Sequence, residues 1–361
     1  MNIATRLKAV RAAFGLTLSD VSKQTDIGIS SLSDFENGKR EPMLGQLKKL
    51  SGLYQKPVSF FLETAAIKDP CILWRNKPSA PKSVQLEAEF VKFCTQYQNL
   101  EVWTKSAKVN SFKNLFAAVF PNDYAEVKQL AHVICKGMEL GARPGASLFR
   151  VLEEVYGVKI FHISLGGDAS SACIYTEEYG PAIMLNSDSA QWRRNFDLAH
   201  ELFHLVTWNV RTKTELMEKE EKFANHFAGV LLMPEQEIRE IIDLSLKNDS
   251  LLYNDLDTIA RQFDVSLDAL LWRIHQLYNT PQEATIKWIE ETKLYSQLPL
   301  RRSEKPEKLP SRYKSLAFAA LKEGEISTRQ FANYMDMNIS DTYSYQIGDG
   351  ANAFKINDSP M

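Results

Sequence analysis

Apolar residues recur at helical spacing along most of the chain. Ile3, Leu7 and Val10 space a first helix. Thr17 reads as the N-cap of Leu18-Ser-Asp-Val-Ser-Lys-Gln, with Asp20 three residues on in the place of the capping-box glutamate. Asp26-Ile27-Gly28 makes a turn, and Ile29 to Asn37 follows as a short helix stopped by Gly38. Pro42 opens a loop, Leu44, Leu47, Leu50 and Leu53 mark a further helix, and Val58, Phe60, Phe61 and Leu62 close a small core. Two short helices across a tight turn are the helix-turn-helix arrangement, whose second helix enters the major groove.

Residues 64 to about 85 hold Pro70, Pro78 and Pro81 among Lys and Ser, which is linker composition. Trp74-Arg75 lies inside that linker and is expected to dock on a domain surface. Glu87 to Trp103 reads as a connecting helix with Phe90, Phe93, Cys94 and Tyr97 on one face. Tyr124 to Leu140 and Ala146 to Tyr156 are amphipathic helices, the second ended by Gly157. The period then shortens. Val158 to Ser164, Ala172 to Thr176 and Ala182 to Asn186 read as strands, parted by Gly166-Gly167 and Gly180-Pro181, as in an antiparallel meander. His162 alternates within the first of them and reads as structural.

After Pro234 the helical period returns. Asp257 to Leu277 has a second helix-turn-helix rhythm with Ser266 as N-cap; helix packing is its expected role, with His275 at the surface. Pro299 to Pro310 is a charged linker, Arg312 to about Tyr345 a small helical tail, and the stretch from Gly348 a frayed end. The expected fold is mainly α with a small antiparallel sheet, an α+β arrangement. Its parts are a five-helix unit over 1–63, a linker and connecting helix over 64–110, a central domain with helical extension over 111–297, and a linker and tail over 298–361.

Composition adds limits. At 44% hydrophobic and 24% charged residues the chain is an ordinary soluble globular protein. A net charge of -2 gives no whole-chain signal for nucleic acid or membrane, so any DNA contact rests on a local patch. Cys71, Cys94, Cys135 and Cys173 are far apart and read as free thiols in a reducing cytoplasm. No signal peptide opens the chain and no apolar run is long enough to cross a bilayer, so a cytoplasmic location is expected.

The chemistry concentrates in Phe196 to Val206, an apolar helix carrying His200-Glu201-x-x-His204. Positions i and i+4 lie one above the other, so the two imidazoles can face one metal ion. Zinc fits, and Glu201 stands where it can take a proton from the attacking water. The same five-residue pattern also arises on salt-bridged helix surfaces. Here Leu198, Ala199, Leu202, Phe203, Leu205 and Val206 make the helix apolar nearly all round. Buried imidazoles and a buried glutamate are costly unless paired or ligated.

Glu215 to Met233 reads as a further helix that Pro234 ends. Glu221 and Asn225 are i, i+4 on it. Glu221 is the candidate third ligand, with Asn225 orienting a ligand from behind. Glu218 is the nearest competitor, His226 points about a quarter turn away, and Glu220 is expected to be solvated.

The run Asn195-Phe-Asp-Leu-Ala-His-Glu-Leu-Phe-His-Leu, followed by Glu221-Lys-Phe-Ala-Asn-His-Phe-Ala-Gly-Val-Leu-Leu-Met-Pro234, resembles the ImmA/IrrE metallopeptidases. The resemblance implies a zincin-like domain with one Zn2+ per chain, His200, His204 and Glu221 as ligands, and Glu201 as general base. Phe203 stands where glycine is usual and is expected to narrow the cleft. Asp197 stands where threonine is usual. In zinc peptidases an edge strand near the metal pairs with extended substrate; the strand ending at Asn186 is the candidate here. Tyr175 and Tyr179 are candidate oxyanion stabilisers.

Residues 6–61 resemble the Cro/C1-type (XRE) helix-turn-helix domain through Thr17-Leu-Ser-Asp-Val and Ser30-Ser-Leu-Ser-Asp-Phe-Glu-Asn-Gly-Lys-Arg-Glu-Pro42. The resemblance implies that Ser30, Ser31, Ser33 and Asp34 face bases or phosphates, with Lys39 and Arg40 on the backbone. Leu18 replaces a polar residue that usually clamps DNA. Asp34 puts an anion where a cation is common; it can accept from cytosine N4 but repels phosphate. Residues 1–63 hold nine Lys/Arg against six Asp/Glu, a mildly basic unit. Its alternative role is protein docking or dimerisation.

Together the two resemblances imply a regulator that binds a double-stranded DNA operator as a dimer and carries a zinc endopeptidase. Its protein substrate would be a repressor or antitoxin in a stress, phage or mobile-element response. The alternative is an antitoxin or transcriptional repressor acting by binding, against DNA or a partner toxin, with the zinc domain a sensor or scaffold.

Overall fold

The structure, a computed structural model, describes residues 3–13, 16–54, 56, 58–62, 71–107, 111–166, 169–211, 217–246, 250–295 and 305–346. The expected turn at Gly167, the first residues of the Glu215 helix, the first half of the 299–310 linker and the end from Gly348 lie outside these residues.

Five helices build the N-terminal unit: α1 Ile3–Ala13, α2 Leu18–Thr25, α3 Ile29–Glu36, α4 Leu44–Tyr54 and α5 Val58–Leu62. The expected capping box starts α2. Thr17 Oγ accepts from the Asp20 amide at 3.2 Å, and the Asp20 carboxylate accepts from the Thr17 amide at 2.9 Å. Leu7, Val10, Val21, Leu32, Phe35, Leu50 and Phe61 fill the core. Arg11 clamps Glu36 with two 2.7 Å hydrogen bonds, tying α1 to α3.

The remaining elements in order are β1 Leu73–Arg75, α6 Lys82–Trp103, a 3-10 turn at Ser111–Leu115, α7 Tyr124–Gly137, α8 Pro144–Glu154, β2 Lys159–Ile163, β3 Ser171–Thr176 and β4 Gly180–Asn186. Then come α9 Gln191–Val206, α10 Met217–Leu232, α11 Glu235–Ser245, α12 Tyr253–Gln262, α13 Leu267–Tyr278, α14 Gln282–Tyr295, α15 Ser311–Lys322, α16 Thr328–Tyr334 and α17 Ile339–Gln346. Ser266 caps α13 as expected, accepting from the Ala269 amide at 3.1 Å. None of the described helices is long and apolar enough to cross a membrane.

The fold is mainly helical around a small sheet, but the sheet is mixed rather than an antiparallel meander. Its strand order is β1-β3-β4-β2, with β2 parallel to β4 and the other pairs antiparallel. The Ala182-Ile-Met-Leu run marks the reason: all four residues are buried, which suits an interior strand flanked on both sides. The substrate-edge expectation for β4 is therefore corrected, because β3 and β2 occupy both its edges. β1 was not expected as a strand; it lies on the outer edge of β3.

Alternation divides the sheet's residues between two cores. Ile160, Cys173, Tyr175, Ile183 and Leu185 face the core that contains α9 and α10. Phe161, Ala172, Ile174, Ala182 and Met184 face the core shared by α6, α15 and α16. The C-terminal helices thus cover the second face of the sheet. A buried ion pair links them to it: Glu101 on α6 meets Lys159 of β2 at 2.9 Å, with side chains only 5% and 4% exposed, and also binds Arg312 of α15.

Candidate metal centre

β4 leads through a four-residue loop into α9, whose Leu198, Ala199, Leu202, Phe203, Leu205 and Val206 are buried beneath the sheet and against α10. Phe203 does not narrow a cleft as expected. It is fully buried against Phe120, Phe227 and the His204 ring, so it widens the core instead.

One turn apart on α9, His200 and His204 turn their Nε2 atoms toward each other at 3.2 Å. Glu221 of α10 reaches His200 Nε2 at 3.2 Å and His204 Nε2 at 3.4 Å. Glu218, the competitor, is 86% exposed and paired with Lys222, while His226 packs edge-on against Tyr124. Of these α10 residues, the geometry brings only Glu221 to the imidazoles.

The tautomers follow from the partners. Asn225 Oδ1 accepts from Arg75 Nη2 at 2.9 Å. Arginine only donates, so the atom that also meets His200 Nδ1 at 3.0 Å is an oxygen, and His200 donates to it. Glu220 Oε1 lies 3.0 Å from His204 Nδ1 and accepts likewise. Two Nε2 lone pairs and a carboxylate therefore converge, which is repulsive without a cation between them. Ligand bonds of zinc length in a tetrahedron put donor atoms roughly 3.3 Å apart. The donor set and its spacing fit a zinc ion.

Glu220 corrects an expectation: it is 3% exposed rather than solvated, held by His204 and by Arg211 at 3.2 Å. Its contribution depends on Arg211, nine residues upstream and beyond local pattern. Burial pushes the His200 imidazole down to about 3. Burial also works against the charge on His204, but the Glu220 and Glu221 carboxylates overcome it and raise that group to about 9. Burial acts to raise Glu221, yet the two imidazoles hold it below the usual carboxylate range. A metal cation would take the place of the proton that these carboxylates otherwise keep on His204.

Glu201 is 1% exposed. Its Oε1 accepts from the Ser171 hydroxyl of β3 at 2.5 Å, and its Oε2 has no protein donor among the described residues. Burial raises the carboxyl above its usual range. Such a group stands ready to receive a proton. Cys173 lies beside it, with burial raising the thiol well above its usual value, so it stays a neutral neighbour. Tyr179 belongs to the opposite core with Phe90 and Met184, which removes it from the oxyanion role. Tyr175 packs on Phe116 and Trp208 with its hydroxyl toward Glu177. His162 is stacked on Phe149 and His275 contacts the Thr280 carbonyl at 2.5 Å; neither joins the cluster.

Arg75 is the site residue that pattern reading missed. It meets Asp197 at 2.5 Å, and through Asn225 it is one bond from His200. A cleft of about 960 Å³ opens beside it, lined by Arg75, Tyr124, Trp192, Phe196, Asn225 and His226 among others.

In the N-terminal unit Leu32 and Phe35 point into the core, leaving Ser30 exposed and Ser31, Ser33 and Asp34 half-buried on α3. Lys39 and Arg40 are exposed in the loop that follows, their amides bonded to the Asp34 carbonyl. Leu18 packs against the unit's core.

Comparison with known proteins divides along the same lines. Residues 7–61 match the family described as helix-turn-helix, and residues 153–275, from the end of α8 into α13, match the family described as IrrE N-terminal-like domain. No curated protein matches the chain. A solved structure, Bacillus thuringiensis PlcR in complex with the peptide PapR7 and DNA, is 11% identical over 96% of this chain and 98% of that one; its TM-score of 0.17 is too low to bear on the fold. The chain thus carries a helix-turn-helix segment followed by an IrrE N-terminal-like segment, and the latter contains the whole His200–Glu201–His204–Glu221 cluster.

Proposed function

We propose that this protein is a DNA-binding transcriptional regulator joined to a zinc-dependent endopeptidase that cuts one specific regulator, a repressor or antitoxin. The observation that carries the reading is the convergence of His200 Nε2, His204 Nε2 and Glu221 beside a buried Glu201 whose Oε2 has no donor among the described residues. His200, His204 and Glu221 would hold one zinc ion, which when bound polarises a carbonyl and lowers the pKa of water. Asn225 and Glu220 fix the two imidazole tautomers, which keeps both Nε2 atoms available as ligands. Glu201 Oε2 takes the proton of the attacking water and passes it to the leaving amine, while Ser171 holds the other oxygen in place.

Cleavage is tested by expressing the protein beside the regulators encoded next to it, with and without DNA damage or phage infection, and following each partner's length on a blot. A shortened partner is the expected outcome. Intact partners with normal repression would leave the protein a regulator or antitoxin acting by binding.

The helix-turn-helix segment supports operator binding through Ser30, Ser31, Ser33 and Asp34, with Lys39 and Arg40 on phosphates. A dimer should shift an inverted repeat from the protein's own promoter region, and affinity should fall steadily as salt is added. A folded N-terminal unit that binds no such DNA at low salt would make it a protein-docking module.

A further inference from the structure

The outer edge of β3 is where an extended peptide would lie. β3 runs antiparallel to β4, while β2 and β4 are parallel, and its Ser171 bonds the buried Glu201. That edge is taken by the chain itself. β1 pairs antiparallel with it, Leu73 opposite Cys173, Trp74 opposite Ala172 and Arg75 opposite Ser171. All three β1 residues are only half-buried. The strand stops at Arg75, and Asn76 takes a left-handed φ of 60°, turning the chain off the edge.

Trp74 of β1 donates its indole N–H to Glu87 at 2.8 Å, on the side away from the metal-facing helices, while Arg75 is held by those helices. The Arg75 guanidinium donates to Asp197 at 2.5 Å and to Asn225 at 2.9 Å, and it lies over the Phe196 ring at 5.4 Å. Asp197 is one turn before Glu201 on α9, and Asn225 is one turn after Glu221 on α10. A guanidinium subsite is thus built from the same two helices that carry the metal-facing groups.

We propose that Leu73–Arg75 is a built-in substrate mimic, and that the substrate is an extended peptide whose arginine takes the place of Arg75 between Asp197 and Asn225. The inference rests on the peptidase reading above and adds its substrate class. Strand exchange on one edge replaces like hydrogen bonds with like, so the arginine contacts decide which segment wins. β1 leads into α6, against which α1 of the N-terminal unit packs. A shift of that unit therefore has a direct route to the covered edge.

The test uses a fluorescein-labelled synthetic peptide with the sequence of Ile72 to Lys77 and full-length protein made unable to cut by Glu201→Gln. Adding Arg75→Ala to that protein should tighten peptide binding about tenfold or more, the scale of a charged, two-pronged hydrogen bond. A peptide with alanine for its arginine should lose the same factor. In the protein that keeps Arg75, excess peptide should speed amide exchange within Leu73–Arg75, a readout that needs no second substitution. Equal affinity for both proteins, equal affinity for both peptides, or unchanged exchange with saturating peptide each overturns the mimic. Peptide binding without any cleaved partner would sink the peptidase reading and leave the arginine subsite. Cleaved partners with no peptide binding would sink this inference alone.

Discussion

Glu201→Gln should lower the rate of partner cleavage by ~10²–10⁴-fold, the usual worth of a positioned general base, and leave the fold in place. Glutamine has nearly the same shape. Its amide oxygen can keep the Ser171 hydrogen bond, and its neutral side chain suits a site where burial already opposes the charge. What is lost is the free acceptor at Oε2, which no protein group among the described residues occupies. The amide nitrogen placed there cannot take a proton. The measurement is the rate of partner shortening on the blot, with thermal unfolding as the control for folding. Cleavage within threefold of wild type would show that Glu201 is not the base.

Removing Glu101 should cost about 3–5 kcal/mol of stability, because breaking a buried ion pair leaves its partner charged and unpaired. The Glu101 and Lys159 side chains are both buried, and Arg312 binds the same carboxylate. Three elements meet there: α6, β2 and α15. Glu101→Leu should therefore lower the urea midpoint strongly. Adding Lys159→Met should recover part of the loss, since it removes the unpaired ammonium, while Arg312 keeps only the Tyr97 hydroxyl and the Ser106 carbonyl. Circular dichroism during urea unfolding measures both variants. A loss under 1 kcal/mol for the single change would mean that water reaches and compensates Lys159.

Much of the site could be read in advance because it depends on local spacing. His200 and His204 share a helix face by simple periodicity, and the buried stripe around them follows from Leu198, Leu202 and Leu205. Glu221 and Asn225 share a face of α10 for the same reason. The capping box at Thr17 and Asp20 is equally local. The parts that pattern could not reach are set by tertiary pairing. Glu220 looks solvated among its charged neighbours until His204 and Arg211 are brought to it. Three residues between prolines carry no strand signal, so β1 becomes visible only when the free edge of β3 recruits it. The order of β2 and β4 depends on where the strand after the β3 turn inserts, which no single strand encodes. Phe203 was expected in a cleft because it departs from a glycine, but its neighbours Phe120 and Phe227 offered it a core. The Asp197 departure has a partner in the structure, Arg75, more than a hundred residues away.

One zinc ion between His200, His204 and Glu221 is the central expectation. Crystals of the full chain grown with zinc should be measured on both sides of the zinc absorption edge. One anomalous peak per chain is expected, set between His200 Nε2, His204 Nε2 and the Glu221 carboxylate. No peak there in zinc-supplied crystals, or a single peak held by other residues, would contradict the account.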